Sequence, residues 1–118
     1  MERDAGTEAQ RRELVEAFGA CQPELLSDLK REFGPVVKDL RLLASVLDPK
    51  RFTAESDVDV AVIVDGRRRG AVVKLHRALF GGDFLLAIPH RGEPFALDPI
   101  TMEEKHWETW RKGREAKA

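Results

Sequence analysis

Two aspartates one residue apart, Asp57 and Asp59, open the run Asp57-Val58-Asp59-Val60-Ala61-Val62-Ile63-Val64, which is β-branched and apolar beyond Asp59. Such a run predicts a strand buried on both faces. Side chains alternate along a strand, so both carboxylates point the same way, with attachment points about 6.5 to 7 Å apart. Two carboxylates so placed can share hard divalent cations, because magnesium takes oxygen ligands and is commonly held by one or two carboxylates together with substrate phosphates. A pair of metals about 3.5 to 4 Å apart stabilises both the attacking and the leaving oxygen of an in-line displacement, which suits chemistry on a nucleoside triphosphate. A third carboxylate from a neighbouring strand usually completes such a site. The plainer reading is that D-x-D marks a strand whose first residues emerge into solvent, since short motifs also match by chance.

The elements that must position these carboxylates follow from hydrophobic spacing. Leu14, Val15 and Phe18 suit one face of a short helix within the first twenty residues, either frayed or docked on a partner. Pro23 stands where a first helical residue is tolerated, and Leu25, Leu26, Leu29 and Phe33 form the stripe of a helix over about 23–33 that Gly34-Pro35 stops. Val36 to Leu43 reads as a strand with one wet face, since Lys38-Asp39 and Arg41 break strict alternation. A polar stretch from Ala44 to Ser56 leads to the aspartate strand. Asp65-Gly66 turns the chain, and Val72, Leu75 and Leu79 mark a helix that Gly81-Gly82 ends.

Asp83 then leads into a buried strand, Phe84 to Ile88, and a short strand runs from Phe95 to Leu97 after the His90-Arg91-Gly92 turn. Thr101 and Glu104 form a T-x-x-E capping box, which predicts a C-terminal helix from near Met102 that buries part of Trp107 and Trp110 before a fraying charged tail. The order implies a mixed α/β (α+β) domain, a small mixed β-sheet flanked by helices. Residues 1–22 form a helical extension and 23–118 the domain.

Composition narrows the function classes. The 118 residues suffice for about one domain, and 42% apolar against 35% charged residues is foldable. Twenty Lys plus Arg against 21 Asp plus Glu give a net charge of -1, so no uniform positive field is present to hold a long nucleic-acid duplex. The longest apolar runs fall far short of the roughly 20 residues that cross a bilayer. Met1-Glu2-Arg3-Asp4 leads into no apolar segment of a secretory signal, and the single Cys21 offers no intrachain disulfide. A cytoplasmic protein that meets no membrane is the expectation.

The aspartate element in its setting resembles the minimal nucleotidyltransferases of the DNA polymerase β superfamily. Their pattern is an apolar strand ending in Gly-Ser, a basic loop, then Ser-Asp-x-Asp opening the next strand; Leu43-Ala44-Ser45 and Ser56-Asp57-Val58-Asp59 stand for these here. The likeness spans about residues 23–90, with the aspartate element specific and the serine element weak. It implies a polymerase β-type nucleotidyltransferase fold and transfer of a nucleoside monophosphate, AMP from ATP, to a hydroxyl with Mg2+. Position by position, it implies that Asp57 and Asp59 bind magnesium and that Ser45 contacts the triphosphate beside Ala44. Asp83, opening a strand that runs into Pro89, looks like the third carboxylate and the general base. Asp98 competes for that role, or serves as a strand-end turn residue.

Two departures weigh on catalysis. Ala44 replaces the glycine, and its methyl restricts close backbone approach to a phosphate. Val46-Leu47-Asp48-Pro49 replaces an Ala-Arg-Gly, so Lys50 or Arg51 must supply the charge. The resemblance also implies a protein partner, a small helical HEPN-type protein for which the chain acts as antitoxin. The alternative is a catalytically degenerate member that serves as a binding module through such a partner, and a homo-oligomer stays open. Arg67-Arg68-Arg69 reads as a solvated turn more often than as an anion contact. His76, His90 and His106 are too scattered for zinc.

Overall fold

The computed structural model describes residues 5–53 and 55–117, which form α1 (Ala5–Phe33), β1 (Val37–Leu43), β2 (Asp59–Val64), α2 (Arg69–Phe80), β3 (Ala87–His90), β4 (Glu93–Ala96), β5 (Asp98–Glu103) and α3 (Glu104–Lys117). The β-branched run becomes the middle strand of a three-stranded sheet ordered β1-β2-β5, antiparallel to β1 and parallel to β5. β3 and β4 form a separate hairpin. Arg91 and Gly92 at its tip both have positive φ, 52° and 83°, as a two-residue turn matched to strand twist requires.

β2 is buried on both faces, as its composition demands, and its alternation divides the core. Val60, Val62 and Val64 pack with Leu14, Phe18 and Leu29 of α1, Leu75 and Leu79 of α2, and Ile88 of the hairpin. Ala61 and Ile63 face the other way with Leu43, against Met102, Trp107 and Trp110. The wet residues of β1 also have a place. The ladder register shifts between Val37 and Asp39, so Lys38 bulges, and Arg41 lies over the Trp107 ring at 4.4 Å while ion-paired to Asp39 and Glu104. The described residues form a mixed α+β domain with three α-helices and two small sheets. No helix among the described residues is long and apolar enough to cross a membrane.

Four expectations are corrected. The two N-terminal helices are one: α1 runs through Pro23, which is exposed, and places Leu14, Phe18 and Leu29 in one core. The proline withholds a hydrogen bond from Gly19, four residues earlier, where open space and the absence of a side chain let the backbone adjust. The strand expected over Phe84 to Ile88 begins only at Ala87 and pairs with β4, outside the main sheet. Asp98–Glu103, expected as a turn and a helix start, is instead the third strand of that sheet. Thr101 caps no helix; its hydroxyl meets His76 Nδ1 at 3.3 Å, and α3 starts at Glu104 directly after the strand. The charged start Met1-Glu2-Arg3-Asp4 lies outside the described residues, and α3 continues to Lys117 through the tail expected to fray.

Candidate active site

The parallel pairing of β2 and β5 sets Asp59 directly opposite Asp98. Neighbouring strands lie about 4.8 Å apart, and partners in a ladder share a face, so the two carboxyls are adjacent. The Asp98 N–H donates to the Val58 carbonyl at 2.9 Å and fixes this register. Asp57, two residues before Asp59, lies just outside the ladder and is exposed, as Asp98 is, while Asp59 is half-buried. Burial raises the Asp59 carboxyl above its ordinary value, and the charge of Asp98, hydrogen bonding with it, and the charge of Asp57 add to that rise in turn. Among the described residues, no three His, Cys, Asp or Glu side chains converge as a complete metal-ligand set.

The acidic end stays open because α3 covers only part of its face of the sheet. The rows across that face run Leu43, Asp59, Asp98, then Arg41, Ala61, Ile100, then Asp39, Ile63, Met102. Trp107 and Trp110 cover the inner residues, whereas Ile100 is 38% exposed next to the acids. What holds the aspartate strand from the other side is the connection after β1. A 3-10 turn, Ala44–Leu47, follows β1, and Val46, Phe52 and Val58 are each fully buried, so three apolar anchors pin residues 46–58 to the core. Arg11 of α1 adds a fourth tie by donating from Nη1 to the Val46 carbonyl at 3.1 Å.

Of the residues singled out in the sequence, the structure pairs Asp59 with Asp98, keeps Asp57 near enough for its charge to act on Asp59, and leaves Asp83 elsewhere. Asp83 follows Gly82 (φ 81°) at the end of α2, donates its N–H to the Ala78 carbonyl, and lines a groove with Lys74 and Arg77. The physical reason is the Gly81-Gly82 turn, which sends Phe84 onto Phe33, ring centroids 5.4 Å apart, rather than into the sheet. Ser56 closes its own loop: its hydroxyl accepts from the Thr53 N–H at 2.8 Å. Lys50 is exposed, and Arg51 is paired with Asp48 at 3.6 Å. Ala44 and Ser45 begin the 3-10 turn, and their side chains lie outside what is described. Arg67 and Arg68 are tied to Asp65, His90 to Glu13 and His76 to Thr101, so none of these four is committed to the acids.

Sequence reasoning missed β5 and Phe52. The signal for β5 was the alternation in Asp98-Pro99-Ile100-Thr101-Met102, obscured by a proline that an edge strand tolerates. Phe52, an isolated aromatic in a polar stretch, was the signal for an anchored loop; its truncation to Ala costs about 3 to 5 kcal/mol. Comparisons with family models, curated proteins and solved structures find no match to this chain.

Proposed function

We propose that the chain is a polymerase β-type nucleotidyltransferase domain that moves a nucleoside monophosphate from a triphosphate, with ATP the first candidate, to a hydroxyl acceptor. The observation that carries this reading is the register of β2 and β5, which sets Asp98 beside Asp59 with Asp57 two residues upstream. The donor set fits magnesium: it is all carboxylate oxygen, it is open on one side, and a close acidic pair leaves room for phosphate oxygens as the remaining ligands. Bound there, the metal would neutralise charge on the transferring phosphoryl group.

Asp59 and Asp98 would hold the cation, and Asp57 would add charge at the rim. Asp98, the more exposed of the pair, accepts the proton of the acceptor hydroxyl as its oxygen forms a bond to the α-phosphorus. The bond to pyrophosphate breaks, and pyrophosphate leaves with the electron pair. Lys50, exposed on the turn anchored by Phe52, supplies charge to the triphosphate beside the backbone of Ala44 and Ser45, and Arg51 adds to it only on leaving Asp48. A HEPN-type helical partner, for which the chain serves as antitoxin in the cytoplasm, extends the same reading.

A second reading, a binding module without transfer, draws on the cations near the loop. Arg11 is committed to Glu8 and the Val46 carbonyl, and Arg51 to Asp48, so neither is poised for a phosphate. Calorimetry of ATP binding with and without magnesium, on the wild type and on Asp59→Asn, separates the two. Binding that needs magnesium and vanishes in the variant supports the enzyme, with transfer then followed from α-labelled ATP. Metal-independent binding that survives the substitution discards the carboxylate site and leaves the module.

A further inference from the structure

Away from the acidic end, α2 and the end of α1 border an open groove of about 420 Å3. Its apolar lining includes Phe33 and Phe84, packed edge to face, and Val73 of α2, which is 49% exposed. Leu85, next to Phe84 in the chain, is 78% exposed. Lys74 and Arg77 come to the groove from α2, Glu32 from the end of α1 and Asp83 from the segment that follows α2. Among the described residues none of these four charges has an ion-pair partner, although the rest of the surface is rich in such pairs.

We infer that this groove is a self-association surface and that its occupant is a second copy of the same chain. The surface contains both halves of its own complement, two bases on α2 and two acids on the segments that border it, which is what an isologous interface requires. The charges also select the symmetry axis. One two-fold axis lays Lys74 and Arg77 of each copy over Glu32 and Asp83 of the other, whereas another sets bases over bases. The first arrangement pairs all four charges in each copy and covers Val73 and Leu85. With a net charge of -1, two copies meet no long-range repulsion.

The test is a charge exchange read by sedimentation velocity between about 1 and 300 µM, a range that spans ordinary self-association affinities. Wild type is expected to shift from monomer to dimer across it, less so at high salt. An all-acidic groove (Lys74→Glu with Arg77→Glu) and an all-basic groove (Glu32→Lys with Asp83→Lys) each weaken the homodimer by at least about a hundredfold, because like charges then face each other. Mixing the two variants restores a dimer that contains one copy of each. A zero-length cross-linker joins Lys74 of one copy to Glu32 or Asp83 of the other.

Wild type that stays monomeric throughout overturns the inference and hands the groove to a different partner. So does a dimer indifferent to either charge variant, or a mixture that stays monomeric. If a charge variant loses its cooperative melt, Val73→Ser and Leu85→Ser replace it, each expected to weaken the dimer about tenfold; a dimer that neither changes also overturns the inference.

Discussion

Each end of β2 is marked by an aspartate, and the fold treats the two in opposite ways. Where the strand begins, Asp59 faces Asp98 across the ladder, with Asp57 beside them, and burial and like charge hold its carboxyl above the ordinary value. Just past the far end, Asp65 accepts hydrogen bonds from the Arg67 side chain and N–H, with Arg68 near, and is lowered to about 2. The second aspartate shapes the turn into α2 and is neutralised by what it shapes. The first sits among its own kind, and among the described residues no cation is paired with it. Such an unrelieved cluster is what the proposed cation site rests on.

The sharpest way to break the contrast is to remove the charge at the start of the strand. Asp59→Asn is expected to lower nucleotidyl transfer about 1000-fold, the size of losing several kcal/mol of phosphoryl charge stabilisation, measured with α-labelled ATP. Asp98→Asn is expected to lower transfer about 100-fold by the same route. Yet it should stabilise the metal-free protein by about 0.5 kcal/mol in urea at pH 7, because it relieves two like charges directly opposite in a ladder. A loss of stability on that substitution would show the pair to be structural.

The two ends also predict pH effects of opposite sign. Asp59 keeps its proton more readily when folded, so its contribution makes stability fall as pH rises from the ordinary aspartate value of 3.8 toward its raised folded value. Asp65 is lowered, so the stability it contributes is full above 3.8 and is lost as pH falls toward about 2. Carbon-detected titration of the two carboxyls reads both signs in one sample. The smallest effect belongs to Asp65→Asn, which removes the acid-side loss and leaves transfer unchanged.

This contrast also explains what the sequence disclosed. β2 and α2 were legible because each has one strong period, and Asp57 and Asp59 because they open an otherwise apolar run. Asp98 competed with Asp83 for the third carboxylate, and the residues around each misled. Asp83 precedes an apolar segment that looks like a sheet strand, but Phe84 and Leu86 are spent on the core beside Phe33 while only Ala87–His90 pairs, and with β4. Asp98 precedes a proline and a T-x-x-E pattern that imitates a helix start, although its backbone completes the parallel ladder. The break expected at Pro23 failed because a helix bends around a proline on its wet side when tertiary packing holds both halves. Neighbours brought in from far along the chain decide all three cases, and spacing within a single segment does not encode them.

The β2 and β5 ladder has a temporal meaning as well. Asp57 and Asp59 are made well before Asp98, with α2 and the β3-β4 hairpin coming between. A contact of such long sequence separation is closed late, after the local elements are in place. During synthesis the chain therefore builds its middle strand without the partner carboxylate, and the repulsion between the two acids enters only with the closing strand. Because β5 is an edge strand, local opening can also withdraw Asp98 while β1 and β2 stay paired. The acidic pair thus belongs to the pairing of the sheet with the longest sequence separation.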